Sequence, residues 1–516
     1  MSTDSQSATL EYLSDPQRHG LSRDDIVIVQ THISVVVLAG DRAYKLKRAV
    51  RLPYVDFSTP ERRLKACQNE LTLNRRTAPN LYLSVRRITR DRDGHLSFDG
   101  SGEMVDAVVE MQRFADHALL ETMVERGDLS TPLAARLAGV IAGFHKNARI
   151  IRGLDVRSAL KRVISDSEQI LSGLSFLPKE KAQALCATLY EELGKRLQLL
   201  MERANAGKVR HCHGDLHLRN ICVIDDEPTL FDCVEFDDSL ATIDVLYDLA
   251  FLLMDLWSRG LEAHANLVLN RYLDVCEEEA GLPLMPLFMA LRATIRAHVV
   301  GTEAVECFGD QNATKQAAAL RYLDLGLACL SPCPARLVAI GGLSGSGKST
   351  LAATLAPRIG PPPGARVLSS DRIRKRMLGV SAEVQLEERA YQAEMSERVY
   401  AEQAIRAASI TRAGGVVIAD AVFDREPDRK RIEGCAARAK ASFDGYWLDV
   451  PPDMLLARVK ARQNDASDAN EAVVHAQLAR QRSVEHWTHI DAGGPIEAAA
   501  VAVLQLLGPL RSNERD

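Results

Sequence analysis

His213-Gly214-Asp215-Leu216-His217-Leu218-Arg219-Asn220, followed by an apolar run that ends in Asp232, is the stretch on which the reading of this chain turns. Its spacing is H-x-D-x-x-x-x-N with a second acid further on. Such a grouping suits phosphoryl transfer. Asp215 would orient an acceptor hydroxyl and take its proton, while Asn220 and Asp232 would offer hard oxygen ligands to magnesium. Gly214 allows the tight turn, His213 fixes the loop, and His217 reads as scaffolding.

A second stretch, Gly342-Leu343-Ser344-Gly345-Ser346-Gly347-Lys348-Ser349-Thr350, directly follows the apolar strand Arg336-Leu337-Val338-Ala339-Ile340 and opens a helix. G-x-x-x-x-G-K-S in that context is a P-loop. Backbone amides from Gly345 to Ser349 would cradle a β-phosphate, Lys348 would span β and γ, and the Ser349 hydroxyl would ligate magnesium. The chain thus presents two phosphoryl-transfer centres of different design, each expected to take ATP and Mg2+.

The bulk composition fits a large enzyme. At 516 residues, 46% hydrophobic and 26% charged, the chain has material for several cores. A net charge of -5 argues against a general binder of nucleic acid or anionic membrane. The N-terminus lacks the basic stretch and apolar core of a signal peptide, and no window holds 18 uninterrupted apolar residues, so a cytoplasmic location without membrane partners is expected. The 10 cysteines form no CxxC pair and read as reduced thiols.

The pattern along the chain predicts several domains of α+β and α/β class. Residues 1–22 are polar and read as a frayed arm or short helix. Residues 26–30, 34–38, 42–47, 81–90 and 105–112 alternate as strands, and 59–76 as a helix with Pro60 at its first position. Together they form a five-stranded lobe over 23–112. A mostly helical lobe follows over 113–330. Ser331-Pro332-Cys333-Pro334 breaks the helix, making 331–335 a linker. Strands alternating with helices over 336–510 then predict a doubly wound parallel sheet with a helical lid.

These motifs carry two resemblances. His213 to Ile221, with Leu230-Phe231-Asp232-Cys233-Val234-Glu235-Phe236, resembles the Brenner-type motif of the aminoglycoside phosphotransferase superfamily, over most of 24–330. The likeness implies a two-lobed, protein-kinase-like fold. It also implies a strand lysine that contacts the triphosphate and pairs with a helix glutamate. Lys45 and Lys47 share one strand face and both qualify; Glu70 is the first choice of partner and Glu61 the second. Glu110 falls where the hinge would pass the adenine.

The order after the P-loop resembles the small AAA/zeta-toxin-like and polynucleotide-kinase-like kinases over 336–485. That likeness implies Asp371 as base toward the acceptor, Arg374 as an acceptor contact, Arg458 and Arg462 as lid arginines, and Asp420 near magnesium. The whole chain is similar to bacterial fusions of an aminoglycoside phosphotransferase with an ATP-binding protein. It implies a bifunctional kinase acting on small-molecule hydroxyls of the sugar or amino-sugar class.

Several alternatives stay open at this level. The P-loop domain could instead sense ATP, or act on nucleotide sugars. It could also phosphorylate nucleic acid through the basic run Arg372 to Arg376, which as a bland reading is a solvated face. Glu277, Glu278, Glu279 and Asp310 could favour a cationic amino sugar or form a solvated surface. The His211, Cys212, His213, His217 group could suggest a metal-dependent hydrolase.

Overall fold

The computed structural model describes residues 6–52, 55–306, 308–382, 384–461, 467–480 and 484–508. The chain divides into two compact units, Met1–Leu154 with Ala204–Leu252, and Asp155–Arg203 with Leu253–Asp516. The helical segment expected as one lobe over 113–330 is therefore shared, and its residues from 253 onward are grouped with the P-loop sheet.

The main sheet of the first unit is made of β1 (Ile26–Gln30), β2 (Ser34–Ala39), β3 (Arg42–Lys47), β4 (Tyr82–Arg90), β5 (Leu96–Phe98) and β6 (Glu103–Gln112), in the order β1-β2-β3-β6-β4-β5. All neighbours are antiparallel. The sheet has one strand more than expected. β5 is three residues long, pairs Ile88 with Phe98, and sits among Asp, Gly and Ser residues that read as loop.

The helix Pro60–Asn74, here α2, begins where Thr59 Oγ1 accepts from Arg62 N at 3.4 Å, with Pro60 at its first position. Ahead of the sheet lies α1 (Ser7–Leu13), the short helix that was one of the two readings of residues 1–22. Leu13 is fully buried and clusters with Val37, Tyr44, Leu46, Ile88 and Val108. Gln6 adds polar ties, donating to Asp106 at 2.8 Å and to the Lys47 carbonyl at 2.9 Å. A mostly polar segment thus becomes integral through one fully buried leucine, with Leu10, Tyr12 and Leu21 packed beside it.

Two helices beyond the sheet matter for the sites: α3 (Val245–Ser258) and α4 (Glu262–Val275). In the second unit, β7 (Arg336–Gly342), β8 (Arg366–Ser369), β9 (Val416–Asp420), β10 (Ser442–Asp449) and β11 (Thr488–Asp491) form a parallel sheet in the order β8-β9-β7-β10-β11. Side chains alternate between its faces. Leu337, Ala339, Val417 and Ala419 enter one apolar cluster, and Val338, Ile340, Val416 and Ile418 enter the other. Burial on both faces explains the unbroken apolar runs. β11 was not legible because Thr488-His489-Ile490-Asp491 lacks such a run.

Among the described residues no helix is long and apolar enough to cross a membrane. The described cysteines are free thiols, most of them buried. Truncating the α1 anchor tests its structural role: Leu13→Ala is expected to lose about 2–5 kcal/mol, as for other fully buried leucines, read by denaturant unfolding of the whole chain.

Candidate active sites

The loop of the first centre is built on a turn that needs Gly214. Its φ is +84°, and a Cβ there would lie 3.1 Å from the Leu240 carbonyl oxygen. The next residue, Asp215, has its side chain partly exposed. Asn220 Nδ2 donates to Asp215 Oδ2 and to the Asp215 carbonyl, both at 2.9 Å, and His217 Nε2 lies 3.2 Å from the same Oδ2. His213 holds the loop through its ring, with Nε2 at 2.9 Å from the Phe231 carbonyl.

The residues that could suggest a metal-dependent hydrolase do not converge as ligands. His213 is spent on Phe231, His217 on Asp215 and the Arg219 amide, and Cys212 Sγ donates to the Ile243 carbonyl at 3.5 Å. What the loop does meet is Asp248, on the first turn of α3. Its two carboxylate oxygens accept from His213 N at 3.0 Å and Gly214 N at 2.9 Å, and His145 Nε2 lies 3.1 Å away. Sequence reasoning passed over Asp248. The available signal was an acid, one of two with Asp255, in the apolar run Val245 to Trp257, which must find partners when buried.

The lysine question resolves into a shared network. Glu70, fully buried on α2, presents Oε1 to Lys45 Nζ at 2.7 Å and Oε2 to Lys47 Nζ at 2.6 Å. Lys45 is also bonded to Asp232, and Lys47 to Glu235. Lys47 has no exposed side-chain surface, while Lys45 keeps 12% and Asp232 keeps 37%. Glu61, at the exposed start of α2, takes no part in this network. Burial alone would raise the carboxyl of Glu70, yet the two ammonium groups hold it well below the ordinary carboxylate range. Burial pushes Glu235 up.

Asp232 itself adopts φ +62°, an uncommon conformation for a residue with a Cβ. Its amide donates to Tyr82 Oη at 3.1 Å, and the next amide, Cys233 N, to Asn74 Oδ1 at 2.8 Å. Tyr82 and Asn74 were not singled out from sequence. Glu110 lies on β6, two residues before its end, paired with Tyr44 and Ser84, and its carboxylate accepts from Ser84 Oγ at 2.8 Å and Arg86 at 3.3 Å. The strand ends at Gln112, as expected, and begins two residues earlier than expected, at Glu103.

In the second unit the functional residues gather at the carboxyl ends of the parallel strands, where open α/β sheets place their ligands. β7 ends at Gly342 and the P-loop leads into α5 (Lys348–Leu355). Gly345 has φ +89°, and a Cβ there would lie 2.7 Å from the Leu455 carbonyl oxygen. Gly342 and Gly347 also have positive φ.

Lys348 Nζ donates to the Leu343 carbonyl at 2.9 Å, and Ser349 Oγ donates to Asp420 Oδ2 at 2.7 Å. Asp420 closes β9, so the two residues expected at the metal meet directly. Thr350 is exposed on the first turn. Ser346 Oγ is buried without a hydrogen-bond partner, an orphan that a phosphate oxygen would satisfy. Gln477, on α7 (Glu471–Arg480), was missed by sequence reasoning; its side chain accepts from Ser344 N at 2.8 Å and donates to Ser344 Oγ at 3.1 Å.

β8 delivers Asp371 onto α6 (Ser370–Met377). Burial raises its carboxyl above the ordinary value, opposed by Arg374 and Lys348. Arg374 donates to the Ala390 carbonyl at 2.7 Å and lies over the Tyr391 ring, 4.6 Å from its centroid. Asp468 is a further residue that the sequence did not reveal. It accepts from Tyr391 Oη at 2.7 Å, Leu386 N at 3.0 Å and Lys375 Nζ at 3.1 Å. Of the two expected lid arginines, Arg458 donates to the Gly493 carbonyl at 3.4 Å, and Arg462 lies outside the described residues.

The side chains expected at the two metals, Asn220 with Asp232 and Ser349 with Asp420, offer oxygen donors of the kind that suit a hard cation such as magnesium. The Lys47 network makes a sharp prediction. Lys47→Met strands Glu235 and leaves Glu70 with Lys45 alone, and is expected to cost about 3–5 kcal/mol in unfolding measurements, with part of the loss recovered by adding Glu235→Gln.

Comparisons with known proteins agree with this division. A family described as "Phosphotransferase enzyme family" matches residues 38–283, and one described as "AAA domain" matches 337–484. Solved structures similar to parts of the chain include a choline/ethanolamine kinase family protein from Mesorhizobium loti. It is 14% identical, covers 64% of this chain and 99% of that one, and has a TM-score of 0.38. A gluconokinase from Sinorhizobium meliloti 1021 is 18% identical, covers 34% and 97%, and has a TM-score of 0.25.

Uncharacterized protein Rv2004c of Mycobacterium tuberculosis and uncharacterized protein Mb2027c of Mycobacterium bovis are each 31% identical over 483 residues, 92% of this chain and 93% of theirs. The chain belongs to one family with these relatives, and it is a phosphotransferase in which an aminoglycoside-phosphotransferase-type domain is followed by a P-loop, kinase-like AAA domain.

Proposed function

We propose that the chain is a bifunctional, ATP- and magnesium-dependent kinase with one centre in each domain. The first would phosphorylate a hydroxyl of a sugar or amino sugar, and the second a hydroxyl of another small molecule. The observation that carries this reading is the convergence of Lys45, Glu70 and Asp232, alongside an Asp215 already bonded to Asn220.

In the first centre Lys45 is the lysine with exposed surface, so it would meet the triphosphate. Lys47, with none, holds Glu70 and Glu235 in place. With its amide hydrogens committed to Asp215, Asn220 keeps its amide oxygen as a metal donor, and Asp232 supplies a carboxylate. Asp215 would orient the acceptor hydroxyl and receive its proton. In the second centre Lys348 and the P-loop amides would hold the phosphates, Ser349 and Asp420 the metal, and Asp371 the acceptor hydroxyl, with Arg374 and Arg458 as cationic neighbours. Magnesium, when bound at either centre, neutralises phosphate charge as the phosphoryl group moves.

A nucleic-acid acceptor at the P-loop centre has less support. The basic run is engaged internally: Arg372 by Asp274, Arg374 by Ala390, Lys375 by Asp468 and Arg376 by Glu277. The acidic run is likewise spent, Glu278 on Arg203 and Glu279 on Arg366 and Arg406, which removes it as an amino-sugar contact.

The test is magnesium-dependent ATP consumption against panels of sugars, amino sugars and nucleosides, in wild type, Asp215→Ala and Lys348→Ala. Asp215→Ala is expected to lower turnover with one acceptor class by about 10²–10⁴-fold and Lys348→Ala to abolish turnover with another. Loss of every activity in Lys348→Ala alone would overturn the two-centre reading.

The second centre also carries a pH signature. Asp371 must be deprotonated to accept a proton, and its raised carboxyl protonates at a higher pH than a solvated aspartate. Lys348-dependent turnover is therefore expected to fall, on acidification, above the ordinary aspartate pKa of about 4. That acid limb should disappear from whatever activity remains in Asp371→Asn.

A further inference from the structure

β8 is the edge strand of the P-loop sheet and has β9 as its one neighbouring strand. Its open side is closed by side chains of α4. Asn266 Nδ2 donates to the Pro363 carbonyl at 2.9 Å and to the Ala365 carbonyl at 3.0 Å. Asn270 Nδ2 donates to the Ala365 carbonyl at 3.2 Å, and its Oδ1 accepts from Val367 N at 2.8 Å. One helix thereby supplies a donor and an acceptor in the places where a further strand would supply them.

Charge strengthens this seam. Arg366, 2% exposed, donates to Asn270 Oδ1 at 3.0 Å and to Asp274 Oδ1 at 2.8 Å, and lies 3.2 Å from Glu279. Asn266, Asn270 and Asp274 recur every fourth residue and so share one face of α4. Asp274 also reaches Arg372, at 3.4 Å. It therefore grips the chain on both sides of Asp371, once on β8 and once on α6.

We propose that α4 is a working part of the P-loop centre, with Asn266, Asn270 and Asp274 as positioning residues that stand in for a missing strand and fix Asp371. The helix lies within the 38–283 stretch that matches the phosphotransferase family, while the AAA match begins at 337. The second centre therefore borrows its acceptor-side support from the first domain's sequence. A P-loop half cut at the 331–335 linker lacks this support. The proposal rests on the reading of Asp371 given above.

The experiment uses the full chain with Asp215→Ala, which leaves Lys348-dependent ATP turnover as the signal. Asn270→Leu and Asp274→Asn are compared with Asn270→Asp, which keeps an acceptor for Val367 N and Arg366. Turnover, affinity for a fluorescent ATP analogue, and amide exchange over 365–372 are read together. Asn270→Leu is expected to speed exchange at Val367 at least tenfold and to lower turnover at least tenfold. Affinity for the analogue should stay within twofold, and Asn270→Asp should recover most of the turnover.

Unchanged exchange and turnover would overturn the proposal, as would a parallel loss of nucleotide affinity, which marks plain structural support. If Asp371→Asn turns ATP over like its parent while Asn270→Leu still frees Val367, the role of Asp371 fails. The seam's hold on β8 then stands.

Discussion

Charge removed from water must be neutralised within hydrogen-bond reach, and this constraint organises both centres. A buried carboxylate without a partner costs several kcal/mol or takes up a proton. Glu70 escapes that by serving two lysines at once, one oxygen to each. Since Lys45 continues to Asp232 and Lys47 to Glu235, the arrangement ties α2 and β3 to the segment after the catalytic loop. Asp248 solves the same problem with the backbone amides of His213 and Gly214. Arg366 solves it with Asp274 and Glu279. In each case the pairing that makes burial tolerable also fixes a segment bearing candidate catalytic groups.

The two lysines show how far local sequence reasoning reaches. Alternation on β3 placed both on one face, and the family resemblance, which implies a helix glutamate as partner, made Glu70 a candidate. The choice between them depends on exposure, which is set by what packs above the strand and cannot be read from β3 itself. Lys47 is sealed and Lys45 is not. The same limit explains Glu110. Its place near the end of β6 was legible from the sequence, but the Ser84 and Arg86 side chains that its carboxylate meets come from the neighbouring strand and were not. β5 and β11 were invisible for a different reason: short or polar strands carry no period long enough to stand out.

The P-loop sheet was legible because strands buried on both faces read as apolar runs, and because G-x-x-x-x-G-K-S fixes strand, loop and helix in one motif. The meeting of Ser349 with Asp420 follows from topology, since β7 and β9 are parallel neighbours that end at the same level. Gln477 and Asp468 act on that site from helix and loop segments far along the chain. Their residue types are common on surfaces, and no local pattern distinguishes them from solvated neighbours.

The acidic run at 277–279 and the basic run at 372–376 are the clearest case of two local readings that only the fold can join. Taken alone, each has the composition of a solvated face, and each also invites a ligand of opposite charge. Folded together they partner one another or nearby groups: Arg376 with Glu277, Arg372 with Asp274 close by, and Glu279 with Arg366 and Arg406. Groups so engaged must break existing contacts before they can grip a phosphodiester backbone or a cationic sugar.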